Sequence, residues 1–224
     1  MPTILITGAN RGIGLECARQ FAADGWTVLG CCRKPDAATE LAAIEGVTVH
    51  ALDVTDIASV DRLAKTISEP IDVLLNNAGQ SLRPALEFGS MDYGRWSDLF
   101  AVNTLAPFKM IEAFHDHLCR SDRKVVANVS SIMGSIEDTG SGHVPYRSTK
   151  AALNMVTKAL SADLSSDNII VFSIHPGWVR TDMGGPKAAV SPEDSAAGIK
   201  KAIEAADANA SGRFFNWTGE TLPW

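Results

Sequence analysis

The strongest constraint on the fold is the alternation of short apolar runs with longer segments of helical periodicity along the chain. The runs are apolar at successive positions, which is typical of parallel strands covered on both faces. We predict seven strands, at Thr3–Ile6, Thr27–Cys32, Val47–Ala51, Val73–Asn76, Lys124–Val129, Ile169–His175 and Gly212–Asn216. We predict helices at Ile13–Ala23, Ile57–Ile67, about Tyr93–Cys119, Tyr146–Leu164 and from Ser191-Pro192 onward.

This alternation predicts an α/β fold: a single doubly wound (Rossmann) domain, with a seven-stranded, mostly parallel sheet and helices on both faces. With 224 residues, 46% of them hydrophobic, the chain suffices for one core. We therefore expect residues 1–224 to form one domain that carries both a cofactor site and a substrate site. Three loop-like stretches follow strands, and we expect them at the carboxyl edge of the sheet, where such folds bind ligands: Gln80–Ser90, Gly134–Pro145 and Thr181–Val190.

Charge and apolar patterning exclude several function classes. The net charge of −6 argues against a nucleic-acid partner, since sequence-independent binding needs clustered basic residues. No secretory signal and no apolar run of roughly 20 residues is present, so we expect a soluble, cytoplasmic protein with no membrane partner. The four cysteines, Cys17, Cys31, Cys32 and Cys119, have no C-x-x-C spacing, which predicts reduced thiols and no metal.

A glycine-rich turn lies between the first predicted strand and the first predicted helix, and its residues are Thr7-Gly8-Ala9-Asn10-Arg11-Gly12-Ile13-Gly14. Glycine lets such a turn bend sharply and approach a pyrophosphate, which then faces the free N–H groups of the helix N-terminus. The spacing is G-x-x-x-G-x-G instead of the common G-x-G-x-x-G. Its position at the first strand–helix turn predicts a dinucleotide site that includes Gly8, Asn10, Arg11, Gly12, Ile13 and Gly14.

The end of the second strand indicates which dinucleotide is bound. An acidic residue there would hydrogen-bond the ribose 2′-hydroxyl of NAD, whereas an arginine accommodates a 2′-phosphate. The strand ends with Arg33, and Arg11 of the glycine turn could reach the same phosphate. These residues favour NADP(H), while Asp36 keeps NAD(H) as a minority interpretation.

Short polar residues follow the third and fourth strands. Asp53, beside Val54, could hydrogen-bond an adenine amino group or cap the following helix, and the sequence leaves both open. Asn76 precedes Asn77, Ala78 and Gly79, whose small size permits close approach of a flat ring. We predict cofactor contacts from Asp53, Val54, Asn77, Ala78 and Gly79.

Tyr146 and Lys150 are four residues apart at the start of a predicted helix, so they share one face. An unperturbed tyrosine has a pKa near 10, and a nearby ammonium favours the phenolate. Lys150 is thus placed to lower the pKa of Tyr146 while it holds a ribose. The pair by itself is a weak signal, since any amphipathic helix can produce it.

Three further features support the interpretation of Tyr146 and Lys150 as a functional pair. Ser130-Ser131 ends the fifth strand, where a hydroxyl could hydrogen-bond a substrate carbonyl. Asn103 lies within a predicted helix, where it could bend the helix and hold a water. Pro176-Gly177 follows His175 at the end of the sixth strand.

Together these motifs resemble the short-chain dehydrogenase/reductase family, and the stretches from Tyr146 and His175 and the ending Leu-Pro-Trp resemble its C-factor-like or sniffer-like carbonyl reductases. The resemblance implies a catalytic tetrad: Tyr146 as acid and base, Lys150 on the ribose hydroxyls, Ser131 on the carbonyl and Asn103 on a relay water. It also implies cofactor contacts from Tyr146, Lys150, Pro176, Gly177, Val179, Thr181 and Met183. A homodimer or homotetramer is expected on the same ground.

The predicted substrate pocket is mostly apolar, with Ile132, Met133, Ile136, His143, Trp178 and Met183 around the strand ends. His143 fits an exposed loop position better than a substrate contact. Such a pocket suits a small or aromatic carbonyl compound. The sequence thus predicts an NADP-dependent oxidoreductase acting on a carbonyl or alcohol. The alternative is an NAD(P)-binding, C-factor-like signalling protein that does not use the tetrad for turnover.

Overall fold

The computed structural model describes residues 1–82 and 88–224 of the chain. Residues 83–87 of the predicted loop Gln80–Ser90 lie outside the described residues. Within the described residues seven strands form one sheet: β1 (Thr3–Thr7), β2 (Thr27–Cys32), β3 (Val47–Ala51), β4 (Val73–Asn76), β5 (Val125–Val129), β6 (Ile170–His175) and β7 (Phe214–Asn216). Their order is β3-β2-β1-β4-β5-β6-β7, and each neighbouring pair is parallel.

Helices connect the strands. They are α1 (Gly12–Ala23), α2 (Thr39–Ala42), α3 (Ile57–Thr66), α4 (Tyr93–Phe100), α5 (Ala106–Cys119), α6 (Val144–Asp163) and α7 (Pro192–Glu204). Short 3₁₀ turns occupy Pro35–Ala37, Ile132–Gly134, Ser165–Asp167 and Ala208–Ala210. None of the helices in the described parts of the chain combines the length and the apolar character that a membrane span requires.

The core has two layers because successive strand residues point to opposite faces of the sheet. Ile4 and Ile6 of β1 pack with residues of α1 and α7, including Phe21 and Ile199. Leu5 belongs to the opposite cluster, with residues of α3, α5 and α6. The predicted fold class, one doubly wound domain with helices on both faces, is confirmed.

The predicted elements differ from the observed ones where the backbone leaves regular geometry. Lys124 and Gly212 were predicted to begin strands, but both have positive φ, at 54° and 72°, and precede β5 and β7. The helix predicted at Tyr93–Cys119 is interrupted by a π-helical turn at Ala101–Leu105. Such a turn is rare and often marks a functional site.

The strand order reverses direction between β1 and β4, which are neighbours although two strands separate them in sequence. The chain leaves β1 toward β2 on one side and later leaves β4 toward β5 on the other. This divergence opens a crevice at the carboxyl ends of the strands. The glycine turn and the loop after β4 border it.

Candidate active site

The glycine turn after β1 is held against the turn after β4 by short polar side chains. The Thr7 hydroxyl accepts hydrogen bonds from the backbone N–H groups of Asn77 and Ala78, both at 3.0 Å. The side-chain amide of Asn77 donates to the carbonyls of Thr7 at 2.9 Å and Gly8 at 3.2 Å. Gly8 has φ +67°, and a Cβ there would lie 3.1 Å from Cα of Ala78, so glycine is required for the two turns to meet.

The N-terminus of α1 opens into a cavity of about 530 Å³ beside this turn. Its N-cap residue, Arg11, makes no side-chain hydrogen bond to the N–H groups of the first turn. These N–H groups and the positive end of the helix dipole are suited to an anion. We call this space the glycine-turn cavity.

Sixteen predicted cofactor residues line the glycine-turn cavity: Gly8, Asn10, Arg11, Gly12, Ile13, Arg33, Asp53, Val54, Asn77, Ala78, Gly79, Tyr146, Lys150, Pro176, Thr181 and Met183. Gly177 and Val179 instead border a second cavity. Gly14 borders neither, because it packs inside the turn, where a Cβ would collide with the Gly8 carbonyl and the Asn77 amide. Gly14 is therefore a close-packing position.

The two arginines predicted to bind a 2′-phosphate both line the glycine-turn cavity. Arg11 pairs with Asp182 at 3.0 Å, and the two side chains are 69% and 80% exposed. Arg33 is exposed at the end of β2. An ion pair this exposed contributes little, so Arg11 is free to turn toward a ligand phosphate at low cost.

The structure excludes one of the two interpretations of Asp53, namely that it caps the following helix. Asp53 accepts hydrogen bonds from the backbone N–H of Thr55 at 3.0 Å and from its hydroxyl at 2.7 Å. The bond from the Thr55 hydroxyl is the main reason that the pKa of Asp53 is lowered. The residue that caps α3 is Asp56, so the interpretation of Asp53 as the cap of this helix is excluded.

Tyr146, Lys150 and Ser131 converge where the two cavities meet. Tyr146 is half-buried in the first turns of α6 and borders both cavities. The Lys150 ammonium, on the same face, lies 6.0 Å from the centre of the Tyr146 ring. The Ser131 hydroxyl lies near the Tyr146 phenol, where it acts to lower the pKa of Tyr146.

The electrostatics of the pair differ from the prediction. Burial raises the pKa of Tyr146, and the nearby Ser131 hydroxyl offsets this only in part. Burial also lowers the pKa of Lys150 to about 8, and its ammonium donates to the Val129 carbonyl at 2.8 Å. The net direction is therefore opposite to the lowering of the Tyr146 pKa expected from Lys150, because desolvation of the phenol dominates.

The two serines after β5 are distinguished by their partners. The Ser130 hydroxyl is buried and donates to the Asn154 side chain at 2.7 Å. The Ser131 hydroxyl accepts a hydrogen bond from the Met133 N–H at 3.2 Å, which caps the 3₁₀ turn at Ile132–Gly134. Ser131 keeps the position facing Tyr146, as predicted.

Asn103 lies fully buried at the centre of the π-helical turn. Its amide oxygen accepts from the Gln80 N–H, and its amide nitrogen donates to the Gln80 carbonyl, both at 2.9 Å. Its second amide hydrogen goes to the Thr149 hydroxyl at 3.1 Å, which in turn donates to the Tyr146 carbonyl at 2.8 Å. Both amide hydrogens are thus committed, so the side chain joins the loop after β4 to α6 and has no hydrogen left to donate to a water.

The second cavity, of about 560 Å³, opens on the other side of Tyr146, and we call it the apolar cavity. Five residues of the predicted substrate pocket border it: Ile132, Met133, His143, Trp178 and Met183. The sixth, Ile136, is 74% exposed outside this cavity, so its predicted place in the pocket is wrong. The reason is that Ile136 follows the 3₁₀ turn, and its N–H donates to the carbonyl of Trp224.

Sequence reasoning gave no pocket role to several residues that border these cavities. His175 borders the apolar cavity, and burial lowers its pKa to about 4, so the ring is neutral at pH 7. Leu82 and Pro145 complete that apolar wall, while Thr55 and Arg180 border the glycine-turn cavity. The only sequence signal that these residues border a cavity was their position next to predicted strand and helix ends.

The sequence matches the family described as short chain dehydrogenase over residues 2–191. The chain belongs to the short-chain dehydrogenase family. It is therefore an oxidoreductase of that family.

Similar members of the family support the predicted subgroup. C-signal of Myxococcus xanthus is 41% identical over 157 residues, which cover 69% of this chain and 93% of that protein. The carbonyl reductase Sniffer of D. melanogaster superposes with a TM-score of 0.95 at 30% identity, and 100% of both chains is covered. An NADPH-bound carbonyl reductase from chicken fatty liver has a TM-score of 0.93 at 31% identity, covering 100% of this chain and 99% of that one. The resemblance to C-factor-like and Sniffer-like members is confirmed.

Proposed function

We propose that this short-chain dehydrogenase transfers a hydride between NADP(H) and a small, apolar or aromatic carbonyl or alcohol, with Tyr146 as general acid and base. The observation that carries the proposal is the position of Tyr146. Its phenol lies near the Ser131 hydroxyl, at the junction of a cavity suited to a dinucleotide and a cavity with apolar walls. A carbonyl between them would meet both hydroxyl groups.

The residues of the glycine-turn cavity fit NADP(H). The α1 N-terminus, which lacks a side-chain cap, suits the pyrophosphate, and Gly8 permits close backbone approach. Arg11 and Arg33 would bind the 2′-phosphate, and Lys150 the ribose hydroxyls. The NADPH in the similar chicken enzyme supports the same choice. When bound, this cofactor supplies or accepts the hydride.

Tyr146 would supply the proton in carbonyl reduction. Its raised pKa keeps the phenol protonated at neutral pH, which is the form that a proton donor requires. As the carbonyl carbon gains a hydride, the phenol proton moves to the carbonyl oxygen, and the phenolate regains a proton from solvent. Ser131 donates a hydrogen bond that stabilises the negative charge developing on that oxygen.

The apolar cavity supports a small or aromatic substrate over a charged one. Ile132, Met133 and Trp178 provide most of its apolar wall, and neutral His175 adds a polar group without charge. Flexible methionines accommodate varied shapes. We therefore expect turnover of several aldehydes, ketones or quinones.

The test measures NADPH and NADH oxidation against a chemically varied carbonyl panel, together with Tyr146→Phe. We expect NADPH to be preferred, and Tyr146→Phe to lose about 10²–10⁴-fold in kcat while it still binds NADPH. Tyr93→Phe is the matched control, because the chain has two tyrosines and Tyr93 is 75% exposed. Wild-type turnover by Tyr146→Phe would refute the mechanism, and an NADH preference would refute the roles of Arg11 and Arg33.

The similarity to C-signal favours a second candidate function, a cofactor-binding signalling protein that does not need turnover. In that case partner effects would survive Tyr146→Phe. We further propose that one domain spanning residues 1–224 carries both sites. The cytoplasmic location and the homodimeric or homotetrameric state stay predictions.

A further inference from the structure

A second cluster of reactive side chains lies at the opposite edge of the sheet. His115 and Cys119 are one turn apart near the end of α5, and Asp167 lies in the 3₁₀ turn after α6. α5 ends shortly before β5 and this 3₁₀ turn shortly before β6, so the cluster lies at the amino ends of these strands. Tyr146 lies at their carboxyl ends. This cluster is therefore separate from the proposed active site.

The three side chains direct their ligand atoms at one another. The His115 Nε2 lies 2.9 Å from the Asp167 Oδ2 and 3.6 Å from the Cys119 Sγ. One ligand atom from each residue lies within 4.8 Å of the other two. In a tetrahedral zinc site with bonds of about 2.0–2.3 Å, neighbouring ligand atoms are about 3.3–3.7 Å apart. Only a small outward movement of Asp167 is needed to admit the ion.

We propose that His115, Cys119 and Asp167 form a Zn²⁺ site. An imidazole nitrogen, a thiolate and a carboxylate are the ligands that zinc prefers, and their combined charge of about −2 balances the ion. Zinc takes the place of the thiol proton, which leaves to solvent. The side chains of His115 and Asp167 are 35% and 39% exposed, so water can reach the fourth coordination position.

The charged neighbours of the cluster act in opposite directions. The Asp116 carboxylate lies 3.6 Å from the His115 Nδ1, where it would hold the imidazole with Nε2 toward the metal. The Lys124 ammonium donates to the Asp167 backbone carbonyl at 3.3 Å and opposes a cation. Because one neighbour is negative and the other positive, together they leave the net charge around the three ligands nearly unchanged.

The geometry is unlike that of a cysteine nucleophile. Cys119 and Asp167 both approach Nε2 of His115, whereas a nucleophile relay places the thiol and the orienting carboxylate on opposite nitrogens of the ring. This arrangement favours convergence on a metal. The site would tie the end of α5 to the connection between α6 and β6.

The test is zinc binding by the full chain after chelator treatment, measured by competition with a chromophoric chelator. We expect one equivalent of Zn²⁺ per chain, and an affinity at least 10-fold lower in both Cys119→Ser and Asp167→Asn. With Co²⁺ as probe, we expect thiolate-to-metal charge-transfer absorption that Cys119→Ser abolishes. Zn²⁺ should also raise the melting temperature of the wild type more than that of either variant.

Asp122→Asn is the matched control, since Asp122 is an exposed acid in the turn between α5 and β5. It should bind zinc as the wild type does. Circular dichroism of each variant without metal verifies that it is folded. The proposal is overturned if the wild type binds no stoichiometric zinc, or if both ligand variants keep its affinity. No outcome depends on turnover, so the proposed function is tested separately.

Discussion

The two cavities that meet at Tyr146 are built from different parts of the chain. Much of the wall of the glycine-turn cavity is formed by residues in the turns after β1, β2, β3 and β4. The apolar cavity has walls of larger side chains from loops, such as Met133 and Trp178. The first is therefore defined by spacing along the sequence, and the second by how loops pack.

This difference has a physical origin. A pyrophosphate needs backbone N–H groups at close range, which only particular turns provide, such as the one at Gly8 with φ +67°. An apolar substrate needs only surface of matching shape, which many side-chain combinations provide. Substitutions in the first cavity should therefore have larger effects than substitutions in the second.

After Tyr146→Phe, the largest effect is expected for Lys150→Met, in the wall of the glycine-turn cavity. We expect kcat/KM to fall about 10²–10³-fold, because the ammonium proposed to hold the ribose hydroxyls, and so to orient the cofactor, is lost. The free energy of unfolding of Lys150→Met should rise, although its activity falls. The lowering of the Lys150 pKa from 10.5 to about 8 corresponds to a burial cost of about 3 kcal/mol at neutral pH. Lys150→Met removes this burial cost, but it also removes the hydrogen bond to the Val129 carbonyl. We therefore expect a net stabilisation of about 1–2 kcal/mol.

The pH dependence of the free energy of unfolding tests the sign of the burial cost of Lys150. Because the folded state binds the Lys150 proton more weakly than the unfolded state, wild-type stability should rise between about pH 8 and pH 10.5 relative to Lys150→Met. Urea unfolding at pH 7 and at pH 9.5 measures this difference. Lys158→Met, on the exposed face of α6, is the control and should show no such gain. A destabilised Lys150→Met at pH 7 would contradict the burial argument.

Arg33→Ala should have the next largest effect, confined to the glycine-turn cavity. We expect kcat/KM for NADPH to fall about 10–100-fold, since hydrogen bonds to charged groups contribute about 1.5–3 kcal/mol. By contrast, kcat/KM for NADH should change little. Lys34→Ala is the control, because Lys34 is the next exposed cation and does not border the cavity. Equal losses with both cofactors would remove Arg33 from phosphate recognition.

Trp178→Ala should have the smallest effect, confined to the apolar cavity. We expect KM for bulky aromatic carbonyls to rise about 3–10-fold, as a partly exposed apolar wall is lost, while KM for NADPH stays the same. Trp178 also donates to the Gly184 carbonyl at 2.9 Å. Trp178→Phe removes that bond and keeps a ring, so it separates loop anchoring from substrate contact. A change in KM for NADPH would show that the two cavities are coupled.

Much of the fold could be predicted because strand burial and turn chemistry are local. The continuous apolar runs located all seven strands of the described sheet within two residues at each end. The sequence indicated a bend at Asn103, but it could not show the π-helical turn at Ala101–Leu105 or the pairing of Asn103 with the Gln80 backbone. The short helix α2 also lacked a periodic signal, because four residues are too few.

The sequence by itself determined the parallel sheet, the glycine turn and the order of the motifs, because each depends on residues that are neighbours in the chain. Tertiary structure decided what depends on distant neighbours. Only packing shows that burial dominates the pKa values of Tyr146 and Lys150, and that the Asn103 amide is committed to Gln80 and Thr149. Only the fold brings His115 within 2.9 Å of Asp167, 52 residues away. Desolvation and long-range contacts are properties of the folded surface, which spacing along the chain does not encode.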